Sequence, residues 1–407
     1  MKILRIISSA DPVHGGPVEG VFRVGAELER LGHVQELMTL DAPDAPFIAT
    51  VQARVIAMGA SDSALGGRTA EMKQPPLWQR FGYTPHAIPW IRAHRGDYDA
   101  VIVSGLWNYA TVAARWGLVG SETPYVVFTH GMLDPWFKES YPLKAAAKQA
   151  VWLVNEGPLL NNAHRVLFTS EEEKLRSRGA FKPYRVREEV VAYGTADVAV
   201  GNEADEVAVF RATLPSLGDR PFLLYLSRIH EKKGCDLLVE AFADVVARES
   251  GLDLVIAGPD QTGLKATLQA LAASRGIANR IHWPGMLKGT AKWGAFRAAE
   301  AFILPSHQEN FGIVVAEAMA CGRPVLVSDK VNIWREVEAD GAGFVEPDTL
   351  AGTRDLFARF LSLDENERAV MGAAARACFL RCFEIRNAAR NLEAVLEQAV
   401  AGGRQAA

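Results

Sequence analysis

The sequence predicts an α/β protein built as two doubly wound, Rossmann-like domains, and three observations carry this. Short Val/Ile/Leu runs alternate with longer helical patterns along the chain, the pattern of parallel strands joined by helical crossovers. At 407 residues the chain exceeds one ordinary core. The alternation breaks once, at the acidic Val198-Ala-Val-Gly-Asn-Glu-Ala-Asp-Glu206 and the turn-rich Leu214-Pro-Ser-Leu-Gly-Asp-Arg-Pro221, and then restarts. The expected boundaries are 1–197 for the first domain, 198–383 for the second, and 384–407 for a closing helix with a flexible tail.

In the first half the clearest strands are Ile3–Ser8, Val101–Ser104, Tyr125–Thr129, Val166–Thr169 and Val190–Ala192. In the second they are Phe222–Leu226, Leu252–Ala257, Ile281–Trp283, Ala301–Leu304, Pro324–Ser328 and Gly343–Val345, each followed by a helical pattern. Met1-Lys-Ile-Leu-Arg-Ile-Ile7 is basic and apolar, but its apolar run is too short for a signal peptide and reads as a buried first strand. The last helix is expected from about Glu384 to Val400, ahead of a Gly-Gly tail. No segment reaches the length of a membrane-spanning helix.

Hydrophobic residues make up 49% of the chain and charged ones 23%, as in soluble globular proteins. A net charge of −4 argues against a nucleic-acid partner, which calls for a basic excess. Of the four cysteines, Cys378 and Cys382 lie four apart on a predicted helix, with no second Cys/His pair to complete a zinc site. They read as reduced thiols of a cytoplasmic protein.

The most informative stretch is Glu309-Asn-Phe-Gly-Ile-Val-Val-Ala-Glu317, between the strands at 301–304 and 324–328. A strand–loop–helix unit of this kind opens at the carboxyl edge of a parallel sheet, where open α/β folds bind ligands. The amides of Phe311, Gly312 and Ile313 then sit at the positive end of a helix, suited to a phosphate. Glu309 and Glu317 can accept hydrogen bonds from sugar and ribose hydroxyls. Alone, two such glutamates would equally suit a helix N-terminus that merely complements the macrodipole. Arg228 and Lys233, in Ser227-Arg-Ile-His-Glu-Lys-Lys-Gly234, follow the strand at 222–226 and suit a diphosphate clamp, a fork beside a point charge. By itself the same run would pass for a solvated loop.

The Glu309-x7-Glu317 pattern, inside Ser306-His-Gln-Glu-Asn-Phe-Gly, resembles the signature of retaining GT-B glycosyltransferases of the large family-4 group. The Arg228/Lys233 pair matches that family at the expected spacing, and the resemblance runs over nearly the whole chain. It implies two Rossmann-like domains facing across a cleft, the last helix crossing back onto the first. It also implies transfer of a sugar from a nucleotide-diphosphate donor, with no metal and no other cofactor. Glu309 would contact the donor sugar and Glu317 the ribose, with Asn310, Phe311, Gly312 and Ile313 beside them. Leu287, in Gly285-Met-Leu287, matches the base-binding turn. Gly16, in Pro12-Val-His-Gly-Gly-Pro17, matches a loop facing the donor phosphates; the spacing departs from Gly-x-Gly-x-x-Gly and disfavours a nicotinamide dehydrogenase.

Val103-Ser-Gly-Leu-Trp-Asn108 and Val127-Phe-Thr-His-Gly-Met-Leu-Asp134 resemble the family's acceptor-lining segments, which nominates Trp107, Asn108 and His130, the last placed near the reacting sugar. The family often has His where Ser104 stands, which leaves the acceptor open. Many of its acceptors are saccharides or lipid-linked. Basic-aromatic stretches at Arg68–Arg95 and Trp136–Trp152 are compatible with peripheral contact at the inner face of the cytoplasmic membrane. Bacterial surface polysaccharide or glycolipid assembly is the implied pathway. A nucleotide-sugar epimerase or phosphorylase of the same fold, or a non-catalytic sugar-nucleotide sensor, are the rival readings. Asp97-Tyr-Asp99 precedes its strand, on the wrong edge for a metal site. Gly258-Pro-Asp-Gln-Thr-Gly263 lacks the Gly-Lys-Ser/Thr ending of a P-loop.

Overall fold

A computed structural model of the chain describes residues 1–14, 16–51, 53–60, 81–135, 142–198 and 202–406. The chain forms two compact units, Met1–Gly194 with Ile385–Ala407, and Thr195–Glu384.

The first unit holds a parallel sheet of β1 (Lys2–Ile7), β2 (Val34–Thr39), β3 (Arg54–Ala57), β4 (Ala100–Ser104), β5 (Tyr125–Phe128), β6 (Arg165–Phe168) and β7 (Glu188–Val190). Their spatial order is β3-β2-β1-β4-β5-β6-β7. Both faces are covered, so the central strands are continuously apolar. Val101, Val103 and Val127 enter one core, and Ile102, Val126 and Leu167 the other. The closing helix Ile385–Ala406 belongs to this unit; Ile385, Leu392, Val395 and Leu396 line its buried stripe against Val24 and Leu28. His33 and Glu393 meet at 2.6 Å beside that contact.

Two strands, β2 and β3, escape the sequence reading. β2 carries Gln35 and Glu36 in its middle, which breaks the apolar run. Yet Glu36 is buried, because Tyr98 donates to it at 2.5 Å and Arg54 of β3 at 2.6 Å. That satisfied carboxylate makes a strand out of a polar segment. β7 lies two residues earlier than expected, a three-residue edge strand paired through Val166↔Glu188. The last helix continues through Gly402 and Gly403 in place of a flexible tail. Once a helix is nucleated, each added residue gains a hydrogen bond without a new nucleation cost.

The second unit holds β8 (Phe222–Leu226), β9 (Asp253–Ala257), β10 (Ile281–Gly285), β11 (Ala301–Leu304), β12 (Val325–Ser328) and β13 (Gly343–Glu346), in the order β10-β9-β8-β11-β12-β13. The chain runs outward from β8 to β10, returns, and restarts at β11 on the other side. That reversal leaves a crevice at the carboxyl ends of β8 and β11, the place where open α/β sheets bind ligands. β1 and β4 flank the equivalent point in the first unit.

Gly234 makes the second crevice possible. It has φ +63°, and a Cβ there would stand 2.0 Å from the Pro305 carbonyl oxygen. Replacing it with alanine therefore adds both a collision and backbone strain, the latter alone about 1–3 kcal/mol. Gly234→Ala is expected to lower the unfolding free energy of the second unit by at least that amount, read as a lower urea midpoint. An unchanged midpoint would show that the β8 and β11 loops do not need this approach.

Candidate active site

Three short loops converge on the β8/β11 crevice. After β8, Arg228 stands exposed and donates to Gln261 at 3.3 Å, while His230 caps the turn Glu231–Lys233 by accepting from the Lys232 amide at 3.1 Å. The Lys232 carbonyl then accepts from the His307 amide (2.9 Å) and the Ser306 hydroxyl (3.0 Å) of the loop after β11. Glu309 is pinned by its own backbone, donating to Lys330 O and accepting from the Asn332 amide, both at 3.0 Å. These bonds fix the loops before any side-chain charge is considered.

Lys233 is only 6% exposed, and its Nζ reaches Glu309 Oε2 at 2.6 Å and the Gln308 carbonyl at 3.2 Å. Lys233 and Glu309 are thus one ion pair, a link their separation of 76 residues conceals. Gly312, with φ +77°, opens the helix Ile313–Ala320, and its absent Cβ would lie 3.3 Å from Glu309 Cγ. Asn310 accepts from Asn332 at 3.4 Å, and Phe311 is buried edge-on against Phe383 at 5.5 Å between centroids. Ile313 is half-buried at the first turn.

Glu317, one turn further on, is buried and takes Lys292 Nζ at 2.7 Å. Nothing in the spacing pointed to Lys292, which comes from the separate helix Gly289–Ala298. Leu287 is buried in the turn after β10. The Gly258–Gly263 loop, which fails as a P-loop, nonetheless lies beside Arg228 through Gln261, and a Cβ on Gly258 would meet Ser227 O at 1.8 Å. A cavity of about 650 Å³ in this unit, bordered by Pro221, Arg323, Pro324 and Arg368, lies at the opposite, amino edge of the sheet and is not this crevice.

In the first unit, Gly16 is the first residue of the helix Gly16–Arg30 that follows β1; Gly15 lies outside the described residues. Among the described residues, Trp107 (φ +65°) and His130 (φ +49°) are the non-glycine positions with positive φ. They follow β4 and β5, adjacent strands at the β1/β4 reversal. Strain of this kind collects at functional sites. Trp107 donates its indole N–H to Met132 O at 3.0 Å and carries Lys148 over its ring at 4.7 Å. Asn108 spends its side chain on the helix Tyr109–Leu118: Oδ1 accepts from the Ala110 amide at 2.9 Å and Nδ2 donates to Leu106 O at 3.2 Å. Ser104, the position where a His was awaited, has a buried hydroxyl.

His130 stacks on Phe128 (5.4 Å) and meets Tyr193 edge-on (5.7 Å), with Nε2 buried and no partner among the described residues. Burial, with a smaller push from the Arg5 guanidinium, takes the imidazole down to about 3, so it is neutral in the physiological range. Two carboxylates missed by sequence reading hold these turns. Glu173 Oε1 accepts from Thr129 Oγ1 (2.6 Å) and the Gly131 amide (2.5 Å), on either side of His130, while Oε2 accepts from the Thr169 amide and hydroxyl. Glu156 accepts from the Trp107 amide and Thr111 Oγ1, both at 3.0 Å, and burial raises its pKa. The only available signal was Ser170-x-x-Glu173, which reads as a capping box. Ser170 does cap, but the glutamate turns inward.

Asp99 accepts the Lys2 amide at 2.7 Å, a structural use at the amino edge of β4. Of the basic-aromatic stretches, residues 61–80 and 136–141 lie outside the described residues, and Trp152 is wholly buried, donating to Pro183 O at 3.0 Å.

Two Rossmann-like parallel sheets, each with polar groups at the carboxyl edge of its reversal point, define a two-domain α/β protein. Residues 208–377 match the family model for glycosyl transferases group 1, and residues 15–194 match that for the glycosyl transferase 4-like domain. The chain belongs to the GT-B glycosyltransferases of the family-4 type. It is 30% identical over 281 residues to D-inositol 3-phosphate glycosyltransferase of Frankia alni, covering 65% of this chain and 66% of that one. Against the enzyme of the same name from Nocardia farcinica it is 32% identical, covering 46% and 42%. The chain thus spans less than two thirds of these relatives. Sucrose-phosphate synthase from Thermosynechococcus elongatus shares the fold at TM-score 0.74 and 20% identity, over 98% of this chain and 99% of that one. Anabaena HepE, in a complex with UDP and glucose, does so at 0.71 and 18%, over 98% and 100%.

The His130 environment has a pH consequence. Its folded pKa lies below the ordinary 6.5, so on acidification the unfolded chain takes up a proton first. Stability is therefore lost from pH 6.5 downward toward 3. His130→Asn, which tolerates positive φ and does not titrate, should show a shallower fall in Tm below pH 6.5 than the wild type. Parallel curves would mean that His130 is protonated equally in both states.

Proposed function

We propose that this protein is a retaining glycosyltransferase that moves a hexose-type sugar from a nucleotide-diphosphate donor to a saccharide or lipid-linked acceptor, in surface polysaccharide or glycolipid assembly. The observation that carries the reading is the Lys233–Glu309 pair at the β8/β11 crevice, with Arg228 on the same loop. A diphosphate entering there competes for Lys233, whose Nζ then donates to phosphate oxygens beside the Arg228 fork. Glu309, released from the lysine, accepts from donor-sugar hydroxyls. Charge that develops on the departing diphosphate is met by two fixed cations and the N-terminus of the helix Ile313–Ala320. Protein groups thus supply the stabilisation that a divalent ion supplies elsewhere, which supports metal-independent chemistry.

Glu309 is engaged by Lys233 and aimed by its backbone, which favours a positioning role over a covalent nucleophile. Retention is then best served by front-face departure, a donor phosphate oxygen taking the acceptor proton. Glu317 is read as the ribose contact, with Lys292 holding its charge. Trp107, Asn108 and His130 are read as the acceptor side; Asn108 acts through its cap, and His130 as a neutral hydrogen-bonding group. The bound UDP of HepE supports a uridine nucleotide as the first donor to try. No helix of the described residues is long and apolar enough to cross a membrane. Val151, Leu153 and Val154 are nevertheless exposed together near Lys148, which supports peripheral contact with a lipid-linked acceptor's membrane.

The test is release of nucleoside diphosphate from UDP- and GDP-sugars across a panel of acceptors. Arg228→Ala and Lys233→Ala should each lose on the order of 10²–10³ in turnover while remaining folded. Activity should persist in excess EDTA. Wild-type turnover in either folded variant would overturn the clamp, Mg²⁺-restorable loss in EDTA would overturn metal independence, and donor binding without release would favour a sensor.

A further inference from the structure

The paired thiols Cys378 and Cys382 acquire in the fold what the sequence lacks. The helix Glu365–Cys378 passes into a wider π-helical turn, Phe379–Phe383, that places both sulfurs on one side. Asp340, just past the helix Trp334–Ala339, comes to the same place, and the three ligand atoms all lie within 4.8 Å of one another. Among the described residues no other group of three such side chains forms.

We propose that Asp340, Cys378 and Cys382 form a site for a thiophilic divalent cation, zinc by chemistry, built from residues outside the β8/β11 crevice. Cysteine thiolate and aspartate carboxylate are both zinc ligand types. Ligands of a tetrahedral zinc–thiolate centre stand about 3.8 Å apart, given Zn–S near 2.3 Å, so small rotamer adjustments suffice. Arg381 donates to both Asp340 oxygens, at 2.6 and 2.5 Å. That is the outer contact that orients a metal-bound carboxylate. The charges close: two thiolates, one carboxylate, one guanidinium and a divalent cation sum to zero, which a half-buried site requires. Cys378 is fully buried and its thiol donates to Glu336 O at 3.6 Å, whereas Cys382 is partly exposed and gives an ion its way in. Three protein ligands leave a fourth position for water. Phe383 of the same turn packs on Phe311, so a bound ion would also brace the loop at Gly312.

The experiment uses the full chain, reduced and stripped of metal, titrated anaerobically with Co²⁺ and then Zn²⁺. A sulfur-to-cobalt charge-transfer band saturating at one equivalent, and bleached by zinc, is expected. Cys378→Ser and Cys382→Ser should lose the band. Asp340→Ala should weaken binding by at least the 10–100-fold seen when a supporting residue is removed. Should a variant fail to fold, the wild type still decides: zinc should slow alkylation of Cys378 and Cys382 while leaving Cys235 and Cys321 as before, read by mass spectrometry. Cobalt binding without the sulfur band, or zinc protection spread evenly over all four thiols, would overturn the site. These readouts need no sugar transfer and stand apart from the proposed activity.

Discussion

The part-buried contact between Lys233 and Glu309 is the interaction on which the charge balance of the second unit's crevice depends. It joins the loop after the first strand of that sheet to the loop after the fourth, across the point where strand order reverses. Removing Glu309 strands a lysine that is only 6% exposed, whereas the partly exposed Glu309 can turn to water when Lys233 is removed. The surrounding hydrogen bonds, the Lys232 carbonyl among them, hold the loops close enough for the pair to form, and the missing side chain at Gly234 permits that approach. A site tied this way has both charges satisfied before a ligand arrives. Binding is therefore an exchange of partners, and selectivity falls to ligands that offer something to each of them.

The first unit solves a different problem, which is to hold two side chains in backbone conformations they disfavour. Glu156 and Glu173 do this from below by accepting amide and hydroxyl bonds that leave the turns at Trp107 and His130 little freedom. A buried carboxylate is stable only when such donors surround it. Each turn and its carboxylate thus depend on one another.

Much of this was legible in the sequence, for identifiable reasons. Nearly all central strands are buried on both faces and so read as plain apolar runs. The loops around Arg228 and Glu309 follow such strands directly, and their residue types announce polar chemistry. β2 and β3 were not legible, because Glu36 is satisfied by partners from Tyr98 and Arg54 that no local window contains. For the same reason the link from Glu317 to Lys292 and the inward turn of Glu173 were hidden. Asp340 joins the two late cysteines through tertiary packing alone, so counting cysteines along the chain could not reveal the trio. Sequence shows which residues carry chemistry; it shows poorly which of them neutralise one another.

The left-handed backbone at Trp107 and His130 sets backbone strain against side-chain packing. Glycine would relax either backbone at no steric cost, but it would also remove the indole bond to Met132 and the packing of His130 on Phe128 and Tyr193. Each side chain thus helps to hold the backbone conformation it disfavours, and a stabilisation campaign on this scaffold should keep both positions fixed from the outset.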